Sequence, residues 1–140
     1  MAFLLDTVTI SELRKERRMH DAVRAWHESD AAGPAYLSVI TMNEIRFGIR
    51  RQERRDKVFA ELLSVWYANL IEQPELFPLL DVDLPIAELA ADFRGYDGLS
   101  NADSLIAATA KVHGLTLATR NTGDFAATGI ALVNPWEHPV

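Results

Sequence analysis

Short apolar segments alternate with helix-forming segments along the whole chain, and this alternation constrains the fold more than any other feature of the sequence. The apolar segments predict strands at residues 3–5, 35–39, 77–82, 115–118 and 130–133. The first of them is continuously apolar, as expected for a strand that is buried on both faces. We therefore predict an α/β fold in which helices cover both faces of a central parallel sheet.

Recognisable N-terminal signals open several of the helices predicted between these strands. Thr9-Ile10-Ser11-Glu12 and Thr41-Met42-Asn43-Glu44 have the pattern of capping boxes, in which the first and last residues bond each other's backbone amides. Ser100, with Asp103 three residues later, is a third such signal. Glu44 and Asp103 are therefore both predicted at the third position of a helix.

The length and composition predict one ordinary globular domain spanning residues 1–140. The chain is 49% hydrophobic and 24% charged and has no cysteine, which excludes disulfides, cysteine metal ligands and thiol catalysis. The absence of cysteine is consistent with a reducing compartment, and we expect the protein in the cytoplasm. No apolar run is long enough to span a bilayer, and no secretion signal precedes the first strand, so we expect no membrane association.

Positive charge is concentrated in the first part of a chain whose net charge is −6. Residues 1–57 hold 11 basic and 9 acidic side chains, whereas residues 58–140 hold 3 and 11. Arg46, Arg50 and Arg54 fall one helical turn apart, so they predict a basic stripe beside Glu44. Such a stripe is either a solvated helical face or a track for the phosphates of a nucleic acid.

Four carboxylates occupy equivalent positions in the predicted fold. Asp6 follows the first strand, Glu44 follows the second, Asp103 opens a helix, and Asp124 ends an open polar loop, residues 119–124, beyond a later strand. Because ligands bind beyond the carboxyl ends of parallel strands, we expect these side chains to converge at one edge of the sheet. Converging carboxylates repel one another unless a divalent cation neutralises them, and oxygen-only ligands favour Mg²⁺ or Mn²⁺. These ions support phosphodiester hydrolysis.

Each acid also has a purely structural explanation. Glu44 and Asp103 could serve only as the acidic members of capping boxes, Asp6 could cap the first helix, and Asp124 could form an Asx-turn. The functional interpretation therefore depends on all four acids together. The four histidines are dispersed without the spacing of metal ligands, and none is predicted to be catalytic.

Four segments of the chain carry distinctive motifs, which are Leu4-Leu5-Asp6-Thr7, Ser38-Val39-Ile40-Thr41-Met42-Asn43-Glu44-Ile45-Arg46-Phe47-Gly48, Asp103-Ser104-Leu105-Ile106-Ala107-Ala108 and Thr119-Arg120-Asn121-Thr122-Gly123-Asp124-Phe125. These motifs resemble those of PIN-domain ribonucleases, and most of all those of the VapC and FitB type toxins of bacterial toxin–antitoxin pairs. The resemblance covers nearly the whole chain and includes the closing Asn134-Pro135-Trp136.

The resemblance implies a single PIN-like domain with a three-layer α/β/α fold, and RNA cleaved by metal-activated water. It also implies a homodimer, a cognate antitoxin that blocks the active site, and larger assemblies with that antitoxin. The residues it assigns to Mg²⁺ or Mn²⁺ and to catalysis are Asp6, Glu44, Asp103 and Asp124, with Thr7, Thr119 and Asn121 in support.

One position departs from the family's pattern. These toxins usually have Asp-Thr-Asn in the first motif, whereas Val8 stands here in place of the asparagine. An apolar side chain there removes hydrogen bonds near Asp6, which bears on the orientation of that carboxylate.

Other function classes fit the sequence less well. A phosphatase of the haloacid dehalogenase type needs a second aspartate two residues after the first, where this chain has Val8. A response-regulator receiver needs an early acidic pair and a late lysine, whereas Lys111 is predicted in the middle of a helix. No glycine-rich phosphate loop is present. The remaining alternative is an inactive PIN-like module that binds only RNA or protein, against which the retention of four acids argues.

Overall fold

A five-stranded parallel sheet forms the centre of the computed structural model, which describes residues 1–29 and 31–140. The strand order is β3-β2-β1-β4-β5. The parallel sheet predicted from the sequence is confirmed, although most strands are shorter than their apolar segments. The strands are β1 (Phe3–Leu5), β2 (Ala35–Ser38), β3 (Leu79–Leu80), β4 (Thr116–Ala118) and β5 (Leu132–Val133).

Helices follow the strands and cover both faces of the sheet. The α-helices are α1 (Thr7–Leu13), α2 (Asp21–Glu28), α3 (Val39–Gln52), α4 (Lys57–Glu72), α5 (Leu84–Asp97), α6 (Asn101–Val112) and α7 (Thr122–Phe125). Short 3₁₀ turns lie at Glu16–Arg18, Ala126–Thr128 and Pro135–Glu137. In the part of the chain that the structure describes, no helix combines the length and apolar character needed to cross a bilayer.

Adjacent residues of the central strand point into two separate hydrophobic cores. Leu4 packs with the buried side chains of α5 and α6, whereas Phe3 and Leu5 pack with those of α1 to α4. Phe3 and Trp26 meet edge to face with ring centroids 5.2 Å apart. This division gives the three layers that the sequence predicts, because side chains alternate between the faces of a strand.

The strand order places a crevice at the end of β1. From β1 the chain runs to β2 and β3 on one side, and it later returns to β4 and β5 on the other. Connections therefore leave β1 and β4 in opposite directions, which opens the sheet edge between them to a ligand. Leu5 pairs with Ala118, so Asp6 and Thr119, which follow them, lie side by side at this edge.

The structure corrects two of the predicted helix starts. Helix α1 begins at Thr7, with Asp6 rather than Thr9 as its N-cap. Helix α3 begins at Val39, capped by Ser38, whose hydroxyl oxygen accepts a 3.0 Å hydrogen bond from the amide of Ile40. In both places a polar side chain at the very end of the strand reaches the free amides first, so the helix starts without a loop. The predicted start of α6 is confirmed, because Ser100 Oγ accepts a 3.2 Å bond from the amide of Asp103.

Leu117 offers a direct check on this packing because it lies in β4 and is fully buried. Leu117→Ala should lower the free energy of unfolding by about 2–5 kcal/mol, since it leaves a cavity between the sheet and α5 and α6. Leu62→Ala on α4 is the matched control, because Leu62 is 63% exposed, and it should change stability by no more than about 0.5 kcal/mol. Denaturant unfolding measures both, and equal effects would contradict the packing described here.

Candidate active site

Asp6 lies at the crevice and is held there by donors from two other elements. It is 6% exposed, and its Oδ1 accepts a 2.9 Å hydrogen bond from the amide of Thr9. The Thr9 hydroxyl lies 2.7 Å from the same oxygen and 2.8 Å from the carbonyl oxygen of Ala118. On the other side, the hydroxyl of Thr119 donates to Asp6 Oδ2 at 2.5 Å. Asp6 therefore caps α1 and also ties the ends of β1 and β4 together.

Thr119 and Asn121 support Asp6 in different ways. Thr119 is fully buried, and its oxygen accepts a 3.0 Å hydrogen bond from the amide of Asn121. That bond leaves the hydroxyl proton of Thr119 for the carboxylate of Asp6. Asn121 therefore acts here through its backbone amide. The family resemblance implies a supporting role for Asn121 but does not say which of its groups provides it.

Glu44 is held by Thr7 and does not cap a helix. Because α3 begins at Val39, Glu44 is its sixth residue and lies a full turn beyond the capping position. The hydroxyl of Thr7 donates to Glu44 Oε1 at 2.5 Å, and it also lies 3.3 Å from the hydroxyl of the fully buried Thr41. The structural explanation for Glu44 is therefore wrong.

Asp103 experiences the charge of two other carboxylates. Burial raises its pKa most, the hydrogen bond with Ser100 lowers it, and the charges of Asp124 and Asp6 raise it further, with a net increase. The charges of Asp124 and Asp6 therefore oppose the ionisation of Asp103. Asp103 is the third residue of α6, behind the N-cap Ser100, and it also belongs to an acidic cluster with Asp6 and Asp124.

Asp124 lies in a short helix and not in the open loop that the sequence predicts. Helix α7 begins at Thr122, and the amide of Asp124 donates to the carbonyl oxygen of Asn121 at 3.0 Å. Asp124 is exposed in the first turn of α7. The polar residues after β4 therefore return the chain across the crevice and bring this acid towards Asp103.

The chemistry of the acidic cluster suits a hard divalent cation. Asp6, Asp103 and Asp124 offer only oxygen donors and repel one another, and Glu44 is a fourth carboxylate, bonded to Thr7, the residue that follows Asp6. As the side chains stand, no group of three or more His, Asp or Glu among the described residues is arranged as a ligand set for a metal ion. The hydroxyls of Thr7 and Thr119 donate to oxygens of Glu44 and Asp6.

A cavity of about 230 Å³ extends the crevice from Glu44 between α1, α3 and α4. Its lining includes Thr7, Arg14 and the aromatic rings of Phe59 and Trp66. The guanidinium carbon of Arg14 lies 5.4 Å from the ring centre of Phe59 and 5.7 Å from that of Trp66. The sequence does not indicate this arrangement, because in the sequence Arg14 is simply one member of a run of basic residues.

The predicted basic stripe divides into two groups in the structure. Arg46 lies over the ring of Tyr67, 5.9 Å from its centre, and lines a cavity between α3 and α4 together with Arg50. Helix α3 ends at Gln52, so Arg54 lies in the following turn. Arg54 lines a second cavity with Phe47, and Arg50 lines both cavities.

Fold and site together define a class of protein. A parallel sheet covered on both faces reverses its strand order beside the central strand, and carboxylates from separate elements gather at that point. The PIN domain family matches residues 3–130, which is most of the chain. The chain belongs to the PIN domain family.

Individual relatives cover almost the full length of the chain. It is 37% identical to the toxin FitB of Neisseria gonorrhoeae over 95% of this chain and 97% of the relative. It is 35% identical to the VapC ribonuclease Y4jK of Sinorhizobium fredii over 96% and 97%. The crystal structure of FitAcB from Neisseria gonorrhoeae superposes with a TM-score of 0.76 at 37% identity, over 96% of this chain and 99% of that one.

Asp103→Asn tests the raised pKa of Asp103, to which burial contributes most and the charges of Asp124 and Asp6 add. Because the pKa of Asp103 is raised in the folded protein, the folded state binds a proton more tightly than the unfolded chain. Stability therefore falls as the pH rises through that raised pKa. The asparagine variant should have a higher Tm than the parent at neutral pH, and this advantage should disappear below the ordinary titration range of an aspartate.

Glu88→Gln is the matched control, because Glu88 is exposed on α5, and its Tm should follow that of the parent at every pH. Thermal unfolding at several pH values makes the measurement. A loss of about 1 kcal/mol in Asp103→Asn at every pH would instead show that Asp103 is only a capping residue.

Proposed function

We propose that this protein is a metal-dependent endoribonuclease and the toxin of a toxin–antitoxin pair. The observation that carries the proposal is the placement of carboxylates beyond the carboxyl ends of the strands. Asp6 accepts a hydrogen bond from Thr119 after β4, Glu44 accepts one from Thr7 after β1, and the charges of Asp124 and Asp6 act on Asp103. Relatives of nearly the same length are named as a toxin and as a VapC ribonuclease, which supports RNA as the substrate.

Asp6, Glu44, Asp103 and Asp124 are the residues that would hold Mg²⁺ or Mn²⁺. When bound there, such an ion polarises a phosphoryl oxygen and lowers the pKa of a water molecule. The protein's own part is to orient the carboxylates. Thr9 and Thr119 fix the plane of the Asp6 carboxylate, and Thr7 draws Glu44 towards α1. Hydrogen bonds of this kind determine how well a ligand residue performs.

Val8 does not disable this arrangement. Its side chain is 43% exposed in the first turn of α1. Asp6 already accepts hydrogen bonds on both carboxylate oxygens from Thr9 and Thr119. The orientation of Asp6 therefore does not require a polar side chain at position 8.

A protein partner is the second part of the proposal. Val58, Leu62 and Val65 lie at helical spacing on α4 and are 60–69% exposed. An apolar stripe of this kind is typical of a surface that another protein covers. Solved structures similar to this chain include FitAB bound to an IR36 DNA fragment, at 35% identity and a TM-score of 0.73. We assign the partners as a cognate antitoxin and a second copy of the chain, in a larger assembly.

The metal is tested most directly by its effect on stability. Mn²⁺ should raise the Tm, because an ion that binds only the folded protein stabilises it by about 2.7 kcal/mol at a hundred times its dissociation constant. The double variant Asp103→Asn, Asp124→Asn should lose most of this increase. Calorimetry that detects no heat of binding, with a Tm unchanged at millimolar Mn²⁺, would contradict the metal site.

Cleavage assays separate the enzyme from an inactive binding module. Asp6→Asn, Glu44→Gln, Asp103→Asn and Asp124→Asn should each abolish metal-dependent cleavage of RNA, while circular dichroism shows the fold retained. Asp92→Asn makes the same chemical change on the exposed side of α5 and should cleave like the parent. Metal binding without any RNA cleavage by the parent would favour the inactive module.

A further inference from the structure

Phe47 is an exposed aromatic ring on a helix that otherwise packs against the sheet. Its side chain is 64% exposed, whereas Ile45 and Ile49 of the same helix are buried in the core. The guanidinium carbon of Arg51 lies 5.8 Å from the centre of the Phe47 ring. One part of the ring is therefore near a cation, and most of it is open to solvent.

Four arginines surround the ring. A cavity of about 450 Å³ is lined by Phe47 with Arg50, Arg51, Arg54 and Arg55. Within the part of the chain that the structure describes, only Arg50 of these four arginines forms an ion pair, and its partner is Glu53. Strong positive charge is thus concentrated around one ring in a chain whose net charge is −6.

The ring and the arginines continue directly from the acidic cluster. Glu44, Phe47 and Arg51 are spaced i, i+3, i+7 along α3, so they share one face of the helix. At 1.5 Å per residue, Phe47 lies about 4.5 Å and Arg51 about 10 Å along the helix axis from Glu44. That span equals about three nucleotides of a stacked strand, at 3.4 Å for each.

A flat apolar ring among cations fits a ligand that carries both flat bases and phosphates. Single-stranded nucleic acids are bound by aromatic side chains on which bases stack, within grooves whose basic residues follow the backbone. Unpaired bases also stack on arginine guanidinium planes. A duplex fits poorly because its bases are already stacked on one another. An acidic peptide would engage the arginines but has no group that requires the exposed ring.

We propose that Phe47 and Arg51, Arg54 and Arg55 form a subsite for single-stranded RNA, in which a base stacks on Phe47 and flanking phosphates contact the arginines. The subsite rests on the proposed ribonuclease function and refines it. It assigns the strand a path along α3, beginning at Glu44. It also makes Phe47 a substrate-binding residue that selects unpaired over paired RNA.

Binding without metal tests the subsite independently of cleavage. The probe is a fluorescent single-stranded RNA octamer, compared with an octamer of the same length and charge that lacks its bases and with a duplex octamer. The parent should bind the intact strand more tightly than the abasic one. Phe47→Leu should weaken binding of the intact strand by roughly 5- to 100-fold, which corresponds to the loss of one stacked base. The same variant should bind the abasic strand and the duplex with the affinity of the parent.

Two control variants separate stacking from charge. Phe47→Trp keeps an aromatic ring and should retain the preference for the intact strand. Arg54→Glu should weaken binding of the intact and the abasic strand alike. It should also flatten the slope of log affinity against log salt concentration by about 0.7 for each phosphate that the variant no longer binds. Arg17→Glu makes the same charge change at the exposed 3₁₀ turn and should bind RNA like the parent.

The outcomes distinguish this proposal from the ribonuclease itself. Equal affinity of the parent and Phe47→Leu for the intact strand would overturn the subsite, even if the parent cleaves RNA. A change in oligomeric state or in antitoxin binding with RNA affinity unchanged would also overturn it, since the ring would then belong to a protein interface. Ring-dependent binding by a parent that never cleaves RNA would support the subsite and contradict the enzyme.

Discussion

The buried carboxylate of Asp6 joins three elements that the rest of the structure depends on. Its oxygens accept hydrogen bonds from Thr9 in α1 and from Thr119 after β4, and its own backbone continues β1. A buried carboxylate is costly unless donors satisfy it, and here the donors come from elements that must meet at the end of the central strand. The hydrogen bonds of Asp6 therefore form only when the sheet is correctly packed, and they stabilise that packing in return.

Electrostatic repulsion in the same region lowers the stability of the folded protein. The pKa of Asp103 is raised chiefly because the side chain is partly buried, and further because the charges of Asp124 and Asp6 oppose its ionisation. A purely structural helix start would not need those neighbours, because Ser100 already caps α6. Repulsion that folding alone does not explain is typical of a site whose charge is balanced by a bound cation.

Helix α3 combines two roles because its faces are chemically distinct. Ile45 and Ile49 are buried against the sheet and contribute to one of its two cores. The opposite surface carries Glu44, Phe47 and Arg51, and Arg54 and Arg55 follow in the turn after the helix. A rigid helix that is anchored by its core face can hold these groups at constant separations, which a loop could not do.

The sequence by itself determined the α/β class and the family, because these follow from local patterns and from motifs that resemble a family, and on the same basis it predicted a single domain and a site of four acids. It could not determine the role of Glu44, since a capping box at residues 41–44 is locally as plausible as the actual start of α3 at Val39. Only the tertiary structure decided that Thr119 holds Asp6, across 113 residues of chain, and that Thr7 holds Glu44, across 37. Strand order brings these residues together, and it depends on how all the elements pack at once, which no short stretch of sequence encodes.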